Sequence, residues 1–251
     1  MIVMEIITVD EGNIDKEHIC CAISSNNDIQ VKSKKSWLKE RFSDGLVFKK
    51  INVRGKCFIE YLPIENAWVP IKGSNLMYID CMWVSGKFQG HGYAKELLNS
   101  CILDSKDKGK DGLVILTSKK KMSFLMDKQF LLKYGFEVVD CIDDKYELMF
   151  LAFHDNVEQP KFKIKQLKIE DRGFVLYYSH QCPFTAKYVD LLNKYCDEND
   201  IDIVIRYIDN KEMAQTSPTI FNTYSLFYEG KFITNEILSI KKFEKIVGTV
   251  K

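Results

Sequence analysis

The sequence predicts a two-domain α/β protein, with one domain over residues 1–154 and a smaller one over residues 155–251. Three observations carry this expectation. Runs rich in Ile, Val, Tyr and Phe alternate with a clear amphipathic helix after Gly92. The polar, breaker-ended segment His154-Asp155-Asn156-Val157-Glu158-Gln159-Pro160 then interrupts the pattern. A fresh strand, turn and helix pattern starts beyond it, at Phe174.

In chain order, Ile2 to Val9 reads as a strand and Ile14 to Ile23 as a short helix. After the polar turn Ser24 to Asp28, a second helix is expected around Ser36 to Phe42. Leu46 to Val53 and Lys56 to Leu62 are strand-like runs joined at Arg54-Gly55, which reads as a hairpin. Asn75 to Val84 is a further strand. Beyond Gly92 the apolar residues Tyr93, Ala94, Leu97, Leu98, Cys101 and Ile102 form one helical stripe, which should end before Lys108-Gly109. Leu113 to Leu116 is the next strand. A helix over Phe124 to Lys133 closes at Gly135, and Phe136 to Val139 with Glu147 to Phe153 reads as an antiparallel pair.

In the second domain, Phe162 to Leu167 reads as a strand or linker, Phe174 to Tyr178 as a strand, Thr185 to Cys196 as a helix and Ile201 to Tyr207 as a strand. Thr219 to Phe221 and Leu226 to Tyr228 precede the turn Glu229-Gly230-Lys231. Ser239 caps a final helix carrying Ile240, Phe243, Ile246 and Val247.

Composition narrows the function classes. The 251 residues are 46% hydrophobic and 28% charged, with a formal net charge of +1. So even a balance supplies no broad field for nucleic acid or an anionic membrane, and neither is expected as a partner. The first ten residues lack a basic start and an apolar core, and no stretch approaches eighteen apolar residues, so a cytoplasmic protein is expected. The eight cysteines, at positions 20, 21, 57, 81, 101, 141, 182 and 196, form no CxxC and pair with no histidines at finger spacing. Neither a metal site nor a disulfide framework is expected; a reducing compartment fits.

The chemistry concentrates between Val84 and Ala94. A strand ending at Val84, the turn Ser85 to Gly92 and a helix starting there gather backbone N–H donors, which neutralise a pyrophosphate at close range with help from the helix dipole. Gly90 and Gly92 let the backbone approach without a clashing Cβ. A plain turn before a helix fits the same glycines. A Walker loop would need Gly-Lys-Ser/Thr where Gly92-Tyr93-Ala94-Lys95 stands, and a dinucleotide fingerprint would need a glycine at Lys95.

The run from Val84 to Ala94 resembles the acetyl-coenzyme-A signature of the GNAT superfamily of N-acetyltransferases, Gln/Arg-x-x-Gly-x-Gly/Ala, in Gln89, Gly92 and Ala94. Downstream, Phe130-Leu131-Leu132-Lys133-Tyr134-Gly135-Phe136 resembles the aromatic helix end and Gly-Phe that close the family's cofactor site. The resemblance covers residues 1 to 153. It implies a GNAT acyl-CoA N-acyltransferase fold with acetyl-CoA as cosubstrate and no metal. Gln89, Gly90, His91, Gly92, Tyr93 and Ala94 would hold the pyrophosphate, with His91 acting through its backbone. The strand backbone at Met82, Trp83 and Val84 would hold the pantetheine arm. That strand would splay from Leu113 to Thr117, leaving the thioester in the gap with a backbone N–H near Val84 polarising its carbonyl.

An attacking amine must lose a proton, and Glu60 and Asp80 are acids embedded in strand patterns where burial would make them bases. Either also fits an ordinary solvent-facing carboxylate. Cys81 reads as packing rather than as an acyl carrier. The family's presumed acid, a tyrosine, is matched here by Leu131, which donates no proton.

In the second domain Cys182 follows a strand and opens a helix, where the helix dipole favours thiolate, so it is the candidate reactive thiol. Pro183 suits the first helical turn. The pattern resembles a thioredoxin or glutaredoxin fold, with Ser217-Pro218-Thr219 at the place of the cis-proline segment and Thr185 at that of the second cysteine. The two halves together resemble acetyltransferases with a YoaP-type C-terminal domain. The expected function is acetyl transfer from acetyl-CoA to a primary amine of a small molecule, peptide or protein, by direct attack on the thioester. The alternatives are a noncatalytic acyl-CoA-binding or sensing protein, and a Cys182-dependent thiol-binding or monothiol redox module.

Overall fold

Alternating strands build one large sheet from the first part of the chain. The computed structural model describes residues 5–19, 25–53, 57–122 and 124–250. These divide into two bodies, Met1–Ala67 with Ile71–Lys163, and Trp68–Pro70 with Ile164–Lys251. The expected boundary at 154/155 falls short of this division, because residues 161–162 still pair with strand residues of the first body.

The first body runs β1 (Ile6–Val9), α1 (Ile29–Phe42), β2 (Val47–Ile51), β3 (Cys57–Pro63), β4 (Ile71–Lys72) and β5 (Leu76–Val84). It continues with α2 (Tyr93–Asp107), β6 (Gly112–Ser118), α3 (Lys128–Leu132), β7 (Glu137–Ile142), β8 (Tyr146–Ala152) and β9 (Lys161–Phe162). Seven strands form a sheet in the order β1-β2-β3-β5-β6-β8-β7, and β4 pairs β9 separately. Every pairing in the large sheet is antiparallel except β5 with β6, which is parallel.

The stripe read from α2 buries Leu97, Leu98 and Cys101 against Ile59, Tyr61, Met77 and Ile79 of β3 and β5. Each fully buried leucine contributes about 1.5–3 kcal/mol. Tyr61 also reaches α2, its hydroxyl donating to Asp104 at 2.8 Å. With a side-chain period of two, Phe58 and Glu60 of β3 face the other way. There Phe48 stacks on Phe58 at 4.9 Å, and Lys34 of α1 meets Glu60.

Several expectations need correction. The helix expected at 14–23 is absent from its described part: residues 11–16 form turns, because the Asp10 carboxylate accepts from the N–H groups of Gly12 and Asn13. Residues 20–24 and the hairpin turn at 54–55 lie outside the described residues. The helix expected from Ser36 starts at Ile29, because Asp28 accepts from Gln30 N–H at 2.9 Å and caps it. The helix expected from Phe124 starts at Lys128, capped by Asp127. Lys39 and Lys50 tie the turn region back through Asp15 and Glu17, at 2.9 and 2.8 Å.

The second body runs β10 (Phe174–Tyr178), α4 (Thr185–Glu198), β11 (Ile203–Tyr207), α5 (Lys211–Thr216), β12 (Tyr224–Tyr228), β13 (Lys231–Thr234) and α6 (Ile240–Val250). Its sheet has the order β11-β10-β12-β13, with β11 parallel to β10 and the other pairs antiparallel. Leu176, Val189, Leu192, Leu226 and Phe243 form its core. Glu229 and Gly230, with φ of 48° and 77°, make the two-residue turn between β12 and β13. Residues 219–221 are not a strand, and α5 was not expected: Asn210 caps it from Met213 N–H. No cis peptide occurs among the described residues, so the Ser217–Pro218 bond is trans where the resemblance implied cis.

Candidate active site

β5 and β6 pair from Leu76↔Gly112 to Ile79↔Ile115 and then part. Both strands continue beyond that point, to Val84 and Ser118. On its other edge β5 stays bonded to β3, through Met82↔Ile59, Trp83↔Phe58 and Val84↔Cys57. The edge of β5 facing β6 is therefore left unladdered from Asp80 onward, and alternate residues there turn N–H and C=O toward the opening. A register shift lies at the same place: Glu60 pairs with Cys81 and Tyr61 with Ile79, so Asp80 is the extra, bulged residue. A bulge bends its strand and re-aims a side chain, which accounts for the parting and for the position of Asp80 together.

Beyond β5, Gly86–Phe88 forms a 3-10 turn, and the Gln89 side-chain amide donates back to the Val84 carbonyl at 3.3 Å. Gly90 and Gly92 both have φ of 80°, conformations that favour glycine, and Gly92 is the N-cap of α2 without a side-chain cap. The first-turn N–H groups have no intrahelical acceptor. A Cβ built on either glycine would meet nothing within 4 Å, so space is open above the turn. His91 is exposed, with Nδ1 2.9 Å from the Gln89 carbonyl and its ring 5.9 Å from that of Tyr93. Tyr93 and Ala94 lie half-buried against the core below, with Phe88, Met126, Phe130 and Tyr134. From Val84 at the end of β5, the turn therefore leads directly to the start of α2 at Tyr93.

The two acids are neighbours, on the sheet face away from α2. Glu60 is 0% exposed and both of its oxygens accept from Lys34 Nζ, at 2.8 and 2.7 Å. Burial works against the Lys34 ammonium, but the charges of Glu60 and Asp80 hold it above its usual value. Asp80 is half-buried; desolvation and the adjacent Glu60 charge push its carboxyl up to about 8, with Lys34 opposing. Cys81 lies beside this group, half-buried. Lys34 was missed from the sequence, since nothing local marks a lysine that will be buried against a carboxylate 26 positions away.

Leu131 is fully buried in the core, and Tyr134 packs on Phe130 with ring centroids 4.9 Å apart. In the second body Cys182 is half-buried, but α4 begins at Thr185 with Phe184 as N-cap, so Cys182 precedes the helix and Pro183 is outside its first turn. The Thr185 hydroxyl explains the late start. It is committed to the carbonyls of Ser179 and Cys182, at 2.8 Å each, tying the turn to the end of β10. Among the described residues, no group of three or more His, Cys, Asp or Glu could hold a metal ion, and no helix is long and apolar enough to cross a membrane.

Residues 14–123 match the Acetyltransferase (GNAT) family, and residues 203–245 match the family described as YoaP-like. The uncharacterized N-acetyltransferase YoaP of Bacillus subtilis (strain 168) is 41% identical over 247 residues, covering 97% of this chain and 98% of that protein. The chain belongs to the GNAT acetyltransferase family. It carries a YoaP-like C-terminal region, as the relative's full-length match requires. Among solved GNAT structures, one from Brucella melitensis in complex with acetyl-CoA is 14% identical, covering 62% of this chain and 92% of that one, with a TM-score of 0.40. Another, from Elizabethkingia anophelis with acetyl-CoA bound, is 16% identical, covering 61% and 100%, with a TM-score of 0.39.

Proposed function

We propose that this GNAT protein transfers an acetyl group from acetyl-CoA to a primary amine by direct attack on the thioester, the reaction lying where β5 and β6 part. The observation that carries the reading is the end of their register at Ile79↔Ile115 while both strands run on. The turn from Gln89 to Ala94 takes the pyrophosphate on backbone N–H groups, and Met82, Trp83 and Val84 take the pantetheine arm on the free edge of β5.

Asp80 is the proton acceptor, because the bulge holds it at the opening and its carboxyl is pushed up to about 8. Glu60 is not, since Lys34 occupies both of its oxygens. The amine nitrogen bonds to the carbonyl carbon, the C–S bond breaks, and the amine proton passes to Asp80. Solvent protonates the departing thiolate, because Leu131 has no proton to give. The transfer does not draw on Cys182. In the second body, a strand, helix and parallel strand followed by an antiparallel hairpin and a helix support a thioredoxin-like reading of residues 155–251.

Gly92→Val tests the cofactor site. A β-branched residue at φ of 80° is strained, and its side chain fills the open space above the turn. Calorimetric titration is expected to show acetyl-CoA affinity reduced by about tenfold or more, the equivalent of about 1.4 kcal/mol. An unchanged affinity would remove the pyrophosphate from this turn.

A further inference from the structure

A buried lysine serves no step of the transfer, yet it is the most enclosed cation in the site. Lys34 is 5% exposed in its side chain and Glu60 0%, and their contact joins α1 to the strand opposite the bulge. Lys34 Nζ also lies 4.3 Å from the Trp37 ring centroid, so an aromatic face covers the ammonium. Burying two charges costs more than an apolar pair of the same size, which makes such a pair weak evidence for stability and directs attention to what it fixes.

We propose that Lys34 and Glu60 are positioning residues of the transfer site, an ion pair that makes Asp80, rather than Glu60, the carboxylate of the acid cluster that takes up a proton. This rests on Asp80 being the proton acceptor. Glu60 stands between the other two: both of its oxygens accept from Lys34, and it pairs with Cys81 at the bulge that carries Asp80, whose carboxyl its charge pushes up. Two carboxyls in contact share one proton, and without a cation neither has a fixed claim to it. Lys34 settles the matter by satisfying both oxygens of Glu60, which leaves Asp80 as the carboxylate that takes up and releases the proton.

The remaining groups around Asp80 do not compete. They come from β5 itself, Tyr78 and Cys81, and burial with the neighbouring Asp80 and Cys81 keeps the Tyr78 phenol neutral, well above its usual range. The charged groups acting on Asp80 are Glu60 from β3 and Lys34 from α1. Removing the Glu60 charge leaves Asp80 facing Lys34 alone, which favours the carboxylate. The acid limb of the pH profile must then move to lower pH.

The test is a carbon-13 carboxyl titration of the full chain, with the Asp80 resonance assigned by its loss in Asp80→Asn. In the native protein the midpoint is expected near 8. Glu60→Gln is expected to lower it by about 1–3 units, the effect of an unopposed cation beside a carboxylate. The double variant Lys34→Met with Glu60→Gln removes both charges together, so no buried charge is stranded. Its midpoint is expected between those two, because burial alone still raises it. A Glu60→Gln or double-variant midpoint equal to the native one overturns the positioning role. The same proteins are assayed for kcat/KM against pH: midpoints that move while the acid limb stays fixed overturn Asp80 as proton acceptor and leave the electrostatics of the cluster intact.

Discussion

Asp80→Asn is expected to lower kcat/KM for acetyl transfer by about 10²–10⁴-fold, the usual contribution of a positioned acid–base group. Asparagine keeps the size and the bulge geometry but cannot take the amine proton. Acetyl-CoA affinity should be unchanged, because the turn at Gln89 to Ala94 and the edge of β5 are untouched. Native activity should rise with pH toward about 8, where Asp80 gives up its own proton. A stability control separates this loss from unfolding. Unfolded Asp80 ionises near 3.8 and folded Asp80 only near 8, so the unfolded chain binds fewer protons between those values. The contribution of Asp80 to native stability is thus full below the lower value and lost as pH rises through the higher. Asp80→Asn abolishes this dependence, and denaturant titrations across the window should show a flatter stability profile. Native-like kcat/KM in the variant would assign the proton to another group.

The second large effect is on stability. Lys34→Met leaves Glu60 buried with no cation on either oxygen, and breaking a buried pair from one side costs about 3–5 kcal/mol. That is a large share of the ~5–15 kcal/mol available to a folded domain. Adding Glu60→Gln should recover most of it, since the double variant buries no charge. Urea denaturation of both measures the difference. Equal losses in the two would mean that lysine stem packing, rather than charge, holds α1 to the sheet.

These two residues also mark where sequence reading succeeds and where it stops. Asp80 was visible as an acid among Ile79 and Cys81, and α2 was visible because its buried residues are apolar at helical spacing. The glycines at 90 and 92 were visible because a positive φ has few other occupants. The first half of α1 was not, since its buried residues include Gln30, Lys34 and Lys35 beside Val31, which erases the apolar stripe. Its start was hidden too, because Asp28 reads equally as a turn residue and as a cap. The expected helix at 14–23 failed for a related reason: Asp10 and Asn13 offer the backbone side-chain acceptors that compete with helical bonds.

The parting of β5 from β6 was implied by family resemblance, yet no residue pattern announces the bulge that accompanies it. A bulge is a difference in count between two strands, and it exists only once β3 and β5 are in register. The same holds for α5 and for Cys182. Asn210 caps a helix too short to show a stripe, and the Thr185 hydroxyl, by bonding back to Ser179 and Cys182, sets the start of α4 later than Pro183 suggests.

The proposed reaction is acetyl transfer at the opening between β5 and β6. Its most direct test incubates the full chain with acetyl-CoA and a panel of primary amines, following free-thiol release and the mass of each amine. The expected result is acceptor-dependent thiol release matched by an equal amount of acetylated amine. Binding of acetyl-CoA with no acceptor-dependent release would contradict it and leave a protein that holds the acyl donor without passing it on.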